Sequence, residues 1–201
     1  MSTPGDLPSP SGTVEDMLGR EAWLGQTVEP VLDPDQPLID PHHHLWGRGS
    51  LPYLLPELAR DTGSGHRILA TVFIECLAEY REEGPEHLKP VGETAWVVSL
   101  GEAPVAGIVG SADLRQHQTI DATLEAHLEA GRGRFRGIRH AAALDPRGRF
   151  RPSHHRPPPG LYRDPDFRKG FARLAAHGLS FDAWLYHPQI PDLADLARAF
   201  P

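Results

Sequence analysis

The chain has one cysteine, Cys76, so no intrachain disulfide can form and a reducing compartment is the expectation. Lysine is nearly absent as well. Lys89 and Lys169 are the only two, and arginine carries almost all the positive charge. An excess of basic charge is missing too: the net charge of −7 argues against a general nucleic-acid-binding surface. No apolar run reaches membrane-spanning length, and the first residues lack both a basic start and an apolar signal core. These absences predict a cytoplasmic protein with neither a membrane nor a nucleic-acid partner. There is no internal repeat at a solenoid period. What is present, 201 residues, suits one domain able to bury a sizeable core.

Residues 1–12 are rich in Pro, Ser and Gly and are expected to be a disordered tail. The run Thr13-Val14-Glu15-Asp16 suits the start of a short helix through Trp23, making residues 13–36 an N-terminal helix and lead-in. From residue 37 strand and helix alternate. Strands are predicted at 37–40, 68–76, 105–110, 135–140 and 179–186. The second of these is nearly continuously apolar, as in a strand covered on both faces. Helices are predicted over 86–100, 113–130, 164–177 and 191–200. The first should turn Leu88, Val91, Ala95, Trp96 and Leu100 inward, and the third Phe167, Phe171, Leu174 and Ala175. Strands separated by crossover helices imply an α/β fold with a parallel sheet.

The first strand runs into Asp40-Pro41-His42-His43-His44. Alternation along an extended chain puts Asp40, His42 and His44 on one face and His43 on the other. Two imidazoles on one strand face can converge on a single cation, and neutral imidazole nitrogen suits zinc. The plainer alternative is a polar strand end whose histidines bond only to backbone. Chemistry in parallel sheets gathers at the C-terminal strand ends. Here those ends carry His42 and His44, Glu75, Ser111 and Asp113, Arg139 and His140, and Tyr186 and His187. Each has a structural alternative: Glu75 as a hydrogen-bond acceptor, Arg139 as the partner of an acid on the rim. The loop 145–160 concentrates Arg147, Arg149, Arg151 and Arg156 on the same side. It reads either as a lid attracting a carboxylated or phosphorylated substrate, or as a solvated insertion. The adjacent His154 and His155 are weak evidence for a metal.

Four segments then fall in register: Leu38-Ile39-Asp40-x-His42-x-His44-Leu45-Trp46, Thr71-Val72-Phe73-Ile74-Glu75-Cys76, Phe135-x-Gly137-Ile138-Arg139-His140, and Phe181-Asp182-x-Trp184-x-x-His187-Pro188-Gln189-Ile190. Together they resemble the amidohydrolase-related family of TIM-barrel hydrolases, in the branch containing sugar-lactone and pyrone-dicarboxylate lactonases. The resemblance covers 37–201 and implies the (β/α)8-barrel fold class. It makes His42 and His44 the first-strand metal pair, and Arg139 and His187 substrate-pocket residues. Glu75 and His187 become the catalytic candidates. It also implies a divalent metal such as zinc, although some lactonases of this branch need none, and an anionic lactone as the small-molecule substrate.

A complete barrel of this kind takes about 250 residues, and only five strands are predicted here. The family's sixth-strand His and eighth-strand Asp have no counterpart in the sequence. Residues 37–201 are therefore expected to form a partial barrel lacking strands six to eight: a fragment inactive alone, prone to association through its open edges, and paired with a complementing chain or a homo-oligomeric copy. Rival readings are a decarboxylase of the same broad family, a non-catalytic half-barrel active only with a partner, and a product with no function.

Overall fold

The computed structural model describes residue 23 and residues 25–47, 52–101, 104–150 and 156–201. The tail 1–12, all of the expected helix 13–23 but its last residue, Arg151 and His154–His155 lie outside the described residues. In chain order the elements are β1 (Pro37–His43), α1 (Leu55–Thr62), β2 (Arg67–Ile74), α2 (Val91–Ser99), β3 (Val105–Ser111), α3 (Ile120–Gly131), β4 (Phe135–Arg139), α4 (Pro165–Ala176), β5 (Ser180–Asp182) and α5 (Ile190–Ala199). The strands form one sheet in the order β1-β2-β3-β4-β5, and every neighbouring pair is parallel. This is the expected α/β class, a five-stranded half-barrel with its helices packed against it. No described helix is long and apolar enough to cross a membrane.

The core is built from strand residues Phe73, Ile108 and Ile138 meeting Val97, Leu124, Phe167, Leu174 and Leu196 from the helices. Burying each such side chain contributes about 1.5–3 kcal/mol. Local chemistry sets the helix ends. Asp164 caps α4, its carboxylate accepting from the N–H groups of Asp166 and Phe167, with Pro165 in the first turn. Gly178, at φ +65°, takes the chain out again. Gly170, inside α4, is required by close approach: a Cβ there would lie 2.0 Å from the Leu114 carbonyl oxygen. Helix α4 thus rests directly on the backbone that follows β3.

Several expected elements differ. The helix over 86–100 is broken into a 3-10 turn, Glu86–Leu88, and α2, because Pro90 cannot donate inside a helix. Its buried face is Val91, Glu93, Thr94 and Val97, and Ala95 is exposed. The helix over 113–130 begins only at Ile120, since the Asp113 carboxylate accepts from Arg115 N–H and holds a turn instead. Strand β5 has three residues, and Ala175 of α4 faces solvent. Strand β2 is covered only toward its C-terminal end: Phe73 and Ile74 are buried while Leu69 is 56% exposed. Helix α1 was not expected. Its signal was Pro56 in the first turn and Glu57, whose carboxylate accepts from the Leu54 N–H at 2.9 Å.

Candidate active site

β1 ends in the histidine cluster. His43 turns into the protein, and its Nε2 meets Thr71 Oγ1 at 2.9 Å. His42 and His44 lie on the other side, with their Nε2 atoms 3.2 Å apart and their rings edge to face. The Asp40 carboxylate accepts from His42 N–H and fixes the strand end. His44 Nδ1 lies 2.8 Å from the Ile74 carbonyl, which can only accept. Nδ1 therefore carries the proton, and Nε2 turns its lone pair toward His42. A tetrahedral zinc with nitrogens at 2.0–2.1 Å has ligand atoms roughly 3.3 Å apart, so this pair fits as two donors. Among the described residues no cluster of three His, Cys, Asp or Glu able to hold a metal is found.

The pair opens onto a cavity of about 310 Å³ shared with Arg139, Asp182, Ala183 and Trp184. Arg139, the last residue of β4, is buried, and its Nε donates to Asp182 Oδ1 at 2.7 Å. Its guanidinium carbon lies 5.3 Å from the centre of the Trp184 ring. Neighbouring strands β4 and β5 place these groups side by side, Arg139 opposite Asp182 in register. The structural alternative for Arg139, pairing with an acid, is realised at Nε.

Arg139 also borders a second cavity, about 390 Å³, whose walls include Glu75, Ser111, Asp113, Arg115, His140 and Arg156. Glu75 follows β2 and is 4% exposed. Burial raises its carboxyl to about 7, against a downward pull from Arg139 and an upward push from Asp182. At neutral pH it is poised between its two protonation states. Burial also raises Glu93 to about 8, opposed by hydrogen bonds from the Cys76 and Ala78 amides and reinforced by Glu75. The Cys76 thiol donates to the Leu45 carbonyl, and burial lifts it to about 12, which makes it a poor nucleophile. Across the cavity Arg115 grips Asp113 through Nε and Nη2 at 2.9 and 2.8 Å.

The structure thus gathers His42, His44 and Arg139 on one cavity and Glu75 and Arg139 on the next. His187 opens a 3-10 turn, His187–Gln189, and is exposed, outside the lining of both. The arginine-rich loop divides. Arg147 and Arg149 fold around Asp145, whose carboxylate accepts from both backbone N–H groups and from Arg149 Nε. Arg156 reaches the larger cavity with Pro157 and Pro158. Sequence reasoning missed Asp182 and Trp184, although both stand in a quoted motif. It also missed Glu93, whose signal was a carboxylate four residues before Val97 on the apolar face of a helix.

A family model described as Amidohydrolase matches residues 39–201. The uncharacterized protein y4mH of Sinorhizobium fredii is 32% identical over 183 residues, covering 83% of this chain and 60% of the relative. An amidohydrolase from Burkholderia multivorans solved with bound zinc is similar in fold, with a TM-score of 0.56 at 24% identity over 81% of this chain and 54% of that one. Amidohydrolase 2 from Bifidobacterium longum subsp. infantis gives 0.50 at 19% identity, over 81% and 57%. This chain therefore spans between about half and 60% of the length of the proteins it matches.

Proposed function

The chain belongs to the amidohydrolase family, and from that premise we propose that its strand ends supply the metal-binding and substrate-binding part of a hydrolase that opens a small anionic lactone. The observation that carries this is the His42–His44 pair, two imidazole nitrogens 3.2 Å apart, one with its lone pair fixed by the Ile74 carbonyl. His42 and His44 would hold a divalent ion; the Burkholderia relative was crystallised with bound zinc. Such an ion, when bound, polarises a carbonyl and lowers the pKa of water. Glu75, poised near neutrality beside Arg139, takes or returns a proton at the cavity wall. Arg139 has its Nε on Asp182, and its Nη edge serves the substrate carboxylate. His187 is assigned a carbonyl or hydroxyl oxygen of the substrate, a role resting on its place after β5 alone. In this reading the remaining donors and the base for water come from beyond these five strands or from a complementing chain.

The test is metal analysis and lactone hydrolysis, on this chain alone and with the polypeptide that completes the barrel. A divalent ion lost in the His42→Ala, His44→Ala double variant is expected, with chelator-sensitive opening of carboxylated lactones faster than neutral ones. Activity indifferent to chelator in protein without metal would replace the metal-assisted account. Release of carbon dioxide without ring opening would replace hydrolysis by decarboxylation.

A further inference from the structure

Glu93 lies in the first turn of α2 and is 1% exposed. Its Oε1 accepts from two backbone amides at once, Cys76 N–H at 2.9 Å and Ala78 N–H at 2.7 Å. Both belong to the turn that carries Glu75 out of β2. That turn does not hold itself: Leu77 and Glu79 sit at φ +64° and +51°, left-handed backbone that residues with side chains disfavour. Gly92, beside Glu93, lets the helix press against the same turn, since a Cβ there would meet Glu79 O and Arg81 N at 2.6 Å. The second oxygen, Oε2, is buried with no hydrogen-bond partner among the described residues. A buried carboxyl with one oxygen doubly engaged and the other unsatisfied is a costly way to close a turn. Such groups persist where something nearby needs the closure.

We propose that Glu93 is a positioning residue for Glu75. By tying the Cys76 and Ala78 amides to α2, it keeps the turn closed and the Glu75 carboxyl on the cavity wall beside Arg139. That Glu75 handles a proton in catalysis rests on the function proposed above; the placement of its carboxyl does not. The groups that act on Glu75 and its turn are Arg139 of β4, Asp182 of β5, Tyr80 and Cys76 of the turn itself, and Glu93. The rest of the cavity wall adds the Asp113–Arg115 pair, His140 and Arg156. Arg139 and Asp182 are fixed in the sheet. A change in the titration of Glu75 caused at Glu93 therefore reports where the Glu75 carboxyl sits.

The experiment is a carbon-13 NMR titration of glutamate carboxyls in the 201-residue chain, with Glu75→Gln to assign the resonance. In the unaltered chain the Glu75 midpoint is expected near 7. Glu93→Gln keeps an acceptor oxygen for the two amides and replaces a carboxyl that, raised to about 8, is mostly uncharged where Glu75 titrates, so the midpoint should stay within about half a unit. Glu93→Ala releases the turn, and the midpoint should fall by about one unit or more as water reaches the carboxyl. Exchange of the Cys76 and Ala78 amide hydrogens should then accelerate by at least about tenfold, with β3 and β4 amides unchanged. If Glu93→Ala does not fold, Glu93→Asp, too short to reach both amides, should give a smaller fall in the same direction. A folded Ala or Asp variant with an unmoved midpoint overturns the proposal, and so does a Gln variant that moves as far as Ala. A midpoint that moves as expected, with no lactone hydrolysis even after the polypeptide that completes the barrel is added, sinks the functional reading and leaves the positioning role standing. Activity with an unmoved midpoint does the reverse.

Discussion

His127 of α3 and the His42–His44 pair of β1 show the same side chain in opposite relations to the fold. Both ring nitrogens of His127 end inside the protein. Nδ1 accepts from Thr94 Oγ1 at 2.8 Å and Nε2 donates to the Ser111 carbonyl at 3.1 Å, with the ring stacked on Phe135. The pair also has one nitrogen fixed by backbone, at His44, but its Nε2 atoms face each other at the rim of a cavity. A histidine whose hydrogen bonds close within the core holds elements together. One whose lone pair is oriented by the core and left at a cavity is suited to a ligand. Burial alone does not separate the two cases. The destination of each nitrogen does.

The largest effect should come from breaking the closed case. His127→Ala removes two buried hydrogen bonds and a packed ring and should cost about 4 kcal/mol in urea denaturation, against about 0.5 kcal/mol or less for His42→Ala. Equal losses would erase the distinction. Acid should act on the same residue. Burial depresses His127 to about 4, below its unfolded value of about 6.5. Its stabilising effect is complete above pH 6.5 and is lost as pH falls toward 4, by about 3 kcal/mol. His127→Gln should flatten that part of the stability–pH curve, and a limb unchanged in the variant would assign it elsewhere.

Glu75 runs the opposite way. Its folded value of about 7 lies above the ordinary 4.5. The fold prefers it protonated, so the contribution of Glu75 to stability is complete below pH 4.5 and is lost as pH rises through 7. Glu75→Gln should therefore gain about 2–3 kcal/mol at pH 8 and almost nothing at pH 4.5. A gain equal at both pH values would place the cost in packing and not in charge. Arg139 is the intermediate case, closed at Nε by Asp182 and otherwise bordering cavities. Because Asp182 is 30% exposed and can be rehydrated, Arg139→Ala should lose only about 1–2 kcal/mol in the same denaturation assay. A loss as large as that of His127→Ala would make Arg139 a core residue first.

How much of this could be read beforehand depended on sequence distance. His42 and His44 were legible because strand alternation is local, and the Asp164-Pro165 start of α4 was legible because capping is local. The partnership of Arg139 with Asp182 spans forty-three positions and was not. Nor was the latch from Glu93 back to Cys76 and Ala78, since a helical pattern says which face is buried and not what a carboxylate on that face will reach. The break at Pro90 was there to be read and was overridden by apolar spacing. Strand β5 shrank to three residues for a related reason: after Asp182 the chain is occupied by other bonds, with the Trp184 carbonyl accepting from Ala142 N–H and Gln189 accepting from Leu144 and Tyr186 N–H.

The strand order has a consequence for synthesis. Among the described residues every strand pairs only with its neighbours in chain order: Leu38 with Ile68, Val72 with Gly107, Val109 with Gly137, and Ile138 with Phe181. As the polypeptide leaves the ribosome, each new strand finds its partner already made, so the sheet can grow edgewise in the order of translation without waiting for a distant segment. The mouth is assembled in the same sequence. The histidine pair is made first, Glu75 arrives with β2 and its latch with α2, and Arg139 waits for β5 to bring Asp182.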